Sequence, residues 1–442
     1  MEKKSKLINF IKAMIIIVTA VIIVAGLSKI LVLKSEDGIN QFDAFYRQPP
    51  ETVDVIFAGS SKVYCDIATG VLWQNHGIAA FDLGGAEAPS WVSYYHLKEA
   101  LKYQRPKVIC YEVSVAAMYD ILYQKDSWAT DNNYGMKWNS NRIDQLKINS
   151  ENEDSFYARL IPLNVMHGRY KDLVENDFTN ERDTVNYKGF DPREKVNTNV
   201  GLQDTGSITE MEPCSEKEEE YIKEIIKLAR SEGIPLVLFA SPYDVTEGEQ
   251  KILNYIGAMC EAGGVDFIDF NRRYDEFGMD FATDMADGGH LNYSGNYKFT
   301  DYFGQILKEK YGVPDRRGDD RYDSWNRDAA IQNYERNDLA ITNAENALDA
   351  MNLTGNGYII FAVNEGKAVI MQDGKTMVEG EAGFRLPYTS GKDAFLFVEE
   401  GEEGSKHEVS LFVNDEQYEQ SYGNLLFIYD TVTRELVRFM YF

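Results

Sequence analysis

Two short segments carry residue types that could do nucleophilic chemistry together. The first is Gly59-Ser60-Ser61, which follows the apolar run Asp54–Ala58. A tight turn with glycine exposes the hydroxyl after it, and adjacent backbone N–H groups can bind an oxyanion. Taken alone, the same pattern describes an ordinary turn. The second is Asp284-Met-Ala-Asp287-Gly-Gly-His290-Leu-Asn292-Tyr-Ser-Gly295. Asp287 and His290 stand three apart on a glycine-rich loop. That spacing lets a carboxylate orient the imidazole while the other ring nitrogen reaches a nucleophile. An Asp-His pair can equally cap a helix or hold one corner of a metal site. No second histidine lies nearby, which argues against metal, and neither a metal nor a cofactor is expected. The chain has five histidines, and the other four (His76, His96, His167, His407) have no such neighbour in sequence and read as structural.

These segments need elements to position them. Apolar runs at Asp54–Ala58, Ile78–Leu83, Val108–Val113, Leu236–Ser241 and Val265–Phe270 read as five short strands. Helical spacing at Trp91–Tyr103, a Ser215/Glu218 capping box opening a helix to about Ser231, and helices near Glu249–Ala262 and Asn296–Tyr311 alternate with them. Strands alternating with helices predict an α/β fold, with a parallel sheet covered on both faces. In such sheets the active site forms at the loops beyond the carboxyl ends of the strands. Both candidate segments fall there.

Residues 120–210, polar and rich in Asn, Asp, Tyr and Lys, read as a long insertion over one face. Residues 315–328 are charged and lack an apolar period, so they read as a linker. Ala329–Met351 can form a helix. From Gly357 the apolar period changes to two, with strand candidates YIIFAV, KAVIM, AFLFVE, EVSLFV, NLLFIYD and ELVRFMYF. The expected organisation is therefore an anchor at 1–35, an α/β domain at 36–314, a linker and helix at 315–352, and a β-rich domain at 353–442.

Composition excludes some classes. The chain has 442 residues, 45 Lys plus Arg against 71 Asp plus Glu, and a net charge of −26. Nucleic-acid binding needs clustered Lys and Arg, so no nucleic-acid partner is expected. Four widely spaced cysteines without a CxxC suggest neither a disulfide framework nor a zinc site. The N-terminus breaks the acidic trend. Lys3, Lys4, Lys6 and Lys12 precede the uncharged stretch AMIIIVTAVIIVAGLS, and the apolar character resumes after Lys29. That is long enough for a spanning helix. Basic residues before it and Glu36, Asp37 and Asp43 after it predict a cytoplasmic N-terminus and a body outside the cell membrane. A cleaved signal peptide shares the basic start and apolar middle, but no clear A-x-A site follows.

Taken together, the two segments resemble the SGNH (GDSL-like) hydrolase family. In that family Gly-Asp-Ser after the first strand carries the nucleophile. Here Gly59-Ser60-Ser61 takes that place, with Ser60 where Asp is usual, and Asp287 and His290 match the last block. The similarity covers roughly residues 50–312. It is greatest to the membrane-anchored branch that includes the D-alanyl transfer protein DltD, through the Gly-Ser-Ser block, Phe81-Asp-Leu-Gly-Gly85, Pro106–Glu112, Met166–Lys171 and the final Asp-x-x-His-Leu-Asn. The resemblance implies a three-layer α/β domain and a catalytic Ser61, His290 and Asp287. It also implies an oxyanion hole from the N–H of Ser61 with Gly84 or Gly85. Ala116 stands about where the family's third donor, an asparagine, would be.

The activity it implies is serine acyl esterase or acyltransferase chemistry on O-acyl groups of a cell-envelope glycopolymer, polysaccharide or teichoic acid, with a membrane-bound O-acyltransferase as acyl donor. The missing asparagine and the added β domain keep a second reading open, a non-catalytic envelope assembly or glycan-binding protein on a degenerate form of the fold. The aromatic run Trp91–Tyr95 reads as core or pocket wall, Cys110 as a buried apolar residue, and Asn292-Tyr-Ser294 as a chance match to a glycosylation pattern.

Overall fold

All five expected strands form, and they make one sheet. β1 (Val55–Gly59), β2 (Ala80–Gly84), β3 (Val108–Glu112), β4 (Leu236–Ala240) and β5 (Asp266–Asp269) pair in the order β2-β1-β3-β4-β5. Every pairing is parallel. Every residue of β1 to β4 is buried, as parallel strands covered on both faces must be. Alternate side chains serve two separate cores. Ile56, Ala58, Ile109 and Leu238 pack against Leu97, Ile225 and Ile256 of the helices Ser90–Ala100, Glu216–Glu232 and Glu247–Ala262. Val55, Phe57, Cys110 and Phe239 pack against Leu72, Phe299 and Phe303 of the helices Thr69–His76 and Tyr293–Tyr311. The computed structural model describes all residues except Met1, Ser35, 180–186, 202–203, 365–366, 382–384, 401–407 and 422–423.

Local chemistry sets the helix ends, and it corrects one expectation. Ser215 does cap its helix, accepting from the Glu218 N–H at 3.3 Å. Glu218 does not return the bond. Its buried carboxylate turns inward and accepts from the Ser90 N–H at 3.1 Å. Complete capping boxes form instead at Thr246 with Glu249 and at Asn152 with Ser155. Residues 120–210 hold a series of short helices between Asp126 and Thr179.

The chain divides into two compact units, Met1–Ala329 and Ala330–Phe442. The expected linker at 315–328 belongs to the first unit and is packed onto it. Arg316 holds Asp54 through two bonds of 2.7 and 2.8 Å. Tyr322 and Trp325 are each 1% exposed and pack against Trp73. Two aromatics among charges create no helical period, so the sequence pattern concealed them. The expected helix 329–351 is two helices, Asp323–Thr342 and Ala347–Leu353, with Asn346 capping the second.

The second unit is a sandwich of antiparallel sheets. One has the order β14-β13-β6-β7-β8 and the other β12-β11-β10-β9. They comprise β6 (Tyr358–Asn364), β7 (Lys367–Gln372), β8 (Lys375–Glu381), β9 (Arg385–Ser390), β10 (Asp393–Glu400), β11 (Glu408–Val413), β12 (Glu416–Ser421), β13 (Leu425–Asp430) and β14 (Glu435–Tyr441). Phe361, Phe395, Leu411 and Phe427 fill the space between the sheets. Ile360, Leu426 and Ile428 face the other way, against Ile341, Ala347 and Ala350.

Candidate active site

The nucleophile turn lies at the carboxyl end of β1. The order β2-β1-β3 makes this the point where the chain reverses direction across the sheet, the usual crevice for ligands. Gly59 has φ +147°, a conformation that L side chains rarely adopt. A Cβ there would also fall 2.8 Å from Cβ of Glu112 and 2.9 Å from its carbonyl oxygen. Glycine is therefore required both for the turn and for the approach to β3. Ser60 caps the short helix Ser61–Asp66, accepting from the Lys62 N–H at 3.3 Å, and donates to Glu112 Oε2 at 3.2 Å. Ser61 opens the helix, where a backbone N–H has no helical carbonyl to bond.

The structure brings Ser61, His290 and Asp287 together, although Ser61 and His290 lie 229 residues apart in sequence. Ser61 Oγ is 2.8 Å from His290 Nε2. His290 Nδ1 is 3.0 Å from both carboxylate oxygens of Asp287. Asp287 also accepts from the N–H groups of Gly289 at 2.7 Å and His290 at 2.9 Å. Partial burial pushes the Asp287 carboxyl up. The hydrogen bond and charge of the His290 ring and the two N–H groups outweigh that, and hold it well below the usual carboxylate range. Asp287 is therefore an anion throughout the neutral range, which fixes Nδ1 as the protonated nitrogen and leaves Nε2 to accept from Ser61.

Asp244, Lys62 and Asp66, all outside the loop, hold its backbone. The Asp244 N–H donates to Gly288 O at 3.0 Å, Lys62 Nζ donates to Gly289 O, and the Leu291 N–H donates to Asp66 Oδ1 at 2.9 Å. Met285 pairs with Leu291 across the loop base, where the Ala286 N–H meets His290 O at 2.9 Å. Lys62 is 2% exposed and sits 4.1 Å over the Tyr243 ring. Burial pushes its amine down, against the charges of Asp66 and Glu112. Burial pushes Asp66 up to about 7 and raises Glu112, while Lys62 opposes both shifts. A buried Lys-carboxylate cluster thus lies directly beside the nucleophile. The sequence signal for it was Lys62 and Asp66, opposite charges one helical turn apart within the otherwise apolar SKVYCD.

The expected oxyanion donors fare unequally. Gly84 ends β2 against the turn, and a Cβ there would fall 2.6 Å from Ser60 O, so its lack of a side chain lets the nucleophile turn close. The Gly85 amide donates to Gly59 O at 3.0 Å and is committed to the scaffold, which corrects its assignment as an oxyanion donor. Ala116 is buried in the helix Ser114–Met118 and offers no side-chain donor. The next stretch is held from the insertion. Gln124 Nε2 donates to the carbonyls of Ala86 at 3.1 Å and Glu87 at 3.0 Å, and Asn132 Nδ2 donates to Ala86 O at 2.9 Å. Because C=O and N–H of one peptide point in opposite directions, the Glu87 amide faces away from the insertion. Glu87 has φ +45°, uncommon for a residue with a side chain. Nothing in the sequence pattern marked Gln124 or Asn132.

The three other described histidines each have a hydrogen-bond partner. His76 Nε2 lies 2.9 Å from Asp301 Oδ1, a carboxylate neighbour that only the fold supplies. His96 is buried with Nε2 2.6 Å from Asn132 O, and His167 Nδ1 is 3.0 Å from Asn164 O. His407 lies outside the described residues. Asn292 is 2% exposed and caps the helix Tyr293–Tyr311, so its side chain is engaged. Trp91 is fully buried, with its indole N–H on Asn149, and Cys110 is buried in β3. No group of three or more metal-ligating side chains occurs among the described residues.

Comparison with known proteins adds little. No family model and no curated protein matches the chain. Among solved structures it is similar to a crystal structure from Bacteroides fragilis provisionally described as an acylhydrolase. The two share 10% identity and a TM-score of 0.31 over 61% of this chain and 94% of that one. A likeness at that level says nothing about the chemistry of this site.

Proposed function

We propose that the protein is a membrane-anchored, extracytoplasmic serine acyl esterase or acyltransferase that acts on O-acyl groups of a cell-envelope glycopolymer. The observation that carries this reading is the Ser61–His290–Asp287 relay, with Ser61 Oγ 2.8 Å from Nε2 and Nδ1 on the carboxylate. The sequence similarity to the SGNH family and its DltD-like branch supports it. The exposed apolar N-terminal helix Glu2–Leu31 supports the anchor.

Ser61 Oγ attacks the acyl carbonyl carbon while His290 Nε2 takes the hydroxyl proton. The C=O pair moves onto oxygen, where the Ser61 N–H receives it. Collapse of the tetrahedral species breaks the bond to the leaving alcohol, which takes the proton from Nε2. Ser61 then carries the acyl group. In the second half, His290 deprotonates an incoming water or polymer hydroxyl, which attacks the acyl-serine and restores the Ser61 hydroxyl. Asp287 keeps the ring oriented and stabilises the imidazolium. A membrane-bound O-acyltransferase is the donor expected for the transfer version.

The full-length protein in detergent should hydrolyse p-nitrophenyl acetate, and a fluorophosphonate probe should label it at Ser61. Ser61→Ala should abolish labelling, and His290→Ala should reduce both labelling and turnover by several orders of magnitude. Equal turnover by wild type and Ser61→Ala would sink the assignment. So would glycan binding by both proteins with turnover by neither, which is the outcome of the non-catalytic reading.

A further inference from the structure

The N-terminal helix changes its surroundings abruptly near its end. From Leu7 to Leu27 its large apolar side chains, Val24 aside, are exposed, Ile16 by 68% and Ile22 by 65%. At Ser28 it meets protein, and Ser28, Leu31 and Val32 are all buried. Residues 7–27 span about 31 Å at about 1.5 Å per residue, close to the ~30 Å of a bilayer's hydrocarbon core. The place where the helix becomes buried is therefore where it would leave the lipid.

Three short segments of the insertion build the socket there, Pro162–Met166, His167–Lys171 and Asn176–Thr179. The Leu163 N–H donates to Ser28 Oγ at 3.3 Å. Arg169 donates to Leu31 O at 2.7 Å, at the carbonyl end of the helix, and its other arm holds Asp177 at 2.9 and 3.1 Å. Lys34 Nζ folds back onto the carbonyls of Lys29 at 2.6 Å and Val32 at 2.7 Å. The helix exit is thus fixed to the α/β unit by side chains at defined positions.

These segments and the residues that flank and join them leave large apolar groups in the open. Ile161 is 41% exposed, Tyr170 64%, Val174 61% and Phe178 64%. Soluble surfaces seldom gather such groups without a partner. Here the neighbour is given by continuity, since the segments bearing them touch the helix where it would emerge from lipid.

We propose that residues 161–178 form an interfacial collar that seats the α/β unit on the outer leaflet, with Tyr170, Val174 and Phe178 dipping into the boundary between lipid headgroups and acyl chains. Tyrosine suits this depth because it offers an apolar ring and a polar tip. The collar does a second thing. The insertion that carries it also supplies Gln124 and Asn132 to the loop Ala86–Glu87 beside Ser61, so one insertion contacts both the membrane exit and the site. The proposal rests on the anchor reading above.

The test uses full-length protein in phosphatidylcholine–phosphatidylglycerol vesicles, with no other protein present. The four native cysteines are buried. A single added cysteine can therefore carry an environment-sensitive NBD label, and one label per chain reports a folded protein. Four variants are compared, Ile16→Cys, Tyr170→Cys, Phe178→Cys and, on the exposed face of the helix Glu216–Glu232, Lys227→Cys. Spin-labelled lipids with the nitroxide near the headgroup should quench the labels at 170 and 178 several-fold more than the label at 227. A nitroxide deep in the acyl chain should quench the label at 16. Quenching at 16 with none at 170 and 178 would overturn the collar and leave the anchor standing, with a membrane protein as the alternative cover for these side chains. No quenching at 16 would overturn the anchor and the collar with it. Equal quenching at 170 and 227 would mean indiscriminate adsorption, and would also overturn the collar.

Discussion

Replacing Lys62 with methionine should separate the holding of the catalytic loop from the chemistry performed on it. Lys62 Nζ is buried, bonds Gly289 O, lies over the Tyr243 ring, and faces Asp66 and Glu112. Methionine keeps most of the volume and removes the donor and the charge. The lost charged hydrogen bond is worth about 1.5–3 kcal/mol. Removing one partner of a buried ionic cluster costs about 3–5 kcal/mol, because the other charge is left uncompensated. The two figures describe overlapping effects, so the expected loss is about 3–5 kcal/mol, large against the 5–15 kcal/mol of a typical domain but short of unfolding it. All five tryptophans lie before residue 330, so tryptophan emission in a denaturant titration reports the unit that contains the site.

Two further features make the prediction specific. Lys62 lowers the Asp66 pKa from the position that burial sets. Without it that carboxyl titrates higher still, so the stability loss should be smaller at pH 5, where Asp66 is neutral, than at pH 8. Freed from Lys62, the Gly289 carbonyl lets His290 drift, and a shift of about 1 Å costs about 10²-fold in rate. The loss should fall on kcat and spare KM, because the buried amine does not reach substrate. Adding Asp66→Asn should restore part of the stability at pH 8 and none of the rate. A Lys62→Met enzyme with kcat within about threefold of wild type, or one whose lost stability is the same at both pH values, would refute the brace.

Asp287→Asn should lower kcat by about 10⁴ by stabilising the wrong imidazole tautomer. Because the wild-type carboxylate stays ionised far below neutrality, the acid limb of the wild-type rate profile should not move with changes made to Asp287's N–H partners. Asp66→Asn alone should flatten the pH dependence of stability. An acid raised to about 7 in the fold favours its protonated form there, so wild-type stability should fall as pH rises from about 4 through 7. Denaturant midpoints at pH 5 and 8 would show it. Gly59→Ala forces φ +147° on a residue with a Cβ and pushes that atom into Glu112. It should cost a few kcal/mol and most of the activity, visible as a lowered melting temperature together with lost fluorophosphonate labelling. Gln124→Ala should reduce kcat while leaving probe labelling at Ser61 detectable, since Gln124 holds the Ala86–Glu87 loop and does not touch the nucleophile.

The parallel sheet was legible because buried parallel strands are continuous apolar runs, and all five had one. The strands missed in the second unit were β8, β9 and β12, with sequences KTMVEGE, RLPYTS and EQYEQS. All three are edge strands. An edge is blunted by charge and proline, which is the composition that hides it from a period-two reading. The packing of 315–328 was hidden for a related reason, since Tyr322 and Trp325 bury themselves without a repeating pattern. At the proposed site, Ser61, Asp287 and His290 could be singled out because the chemistry proposed for them needs particular residue types at particular spacings. Lys62 left one trace, its charge opposite to that of Asp66 one turn on, whereas Asp244, Gln124 and Asn132 left none, because they act on backbone groups that any sequence supplies.

The oxyanion geometry bears on what the acyl-enzyme would do next. Gly85 has spent its amide on Gly59, and Ala116 has no side-chain donor and has spent its amide on Val113 O. Removing one such donor costs about 10²–10³ in rate, or about 2.7–4 kcal/mol. Formation and breakdown of an acyl-serine pass through the same kind of oxyanion, so a poor hole slows both halves equally. Bound water has little binding energy with which to make up the difference. A polymer hydroxyl held by the rest of its chain can do so, since positioning alone supplies about 7–11 kcal/mol in favourable cases. The hole slows attack by water and by a polymer hydroxyl alike, so the choice between hydrolysis and transfer would rest on how well a bound acceptor is positioned. The comparison to make is the breakdown rate of acetyl-Ser61 with and without a polyol acceptor, and acceleration by acceptor well beyond its effect on a small-molecule esterase would mark transfer as the native direction.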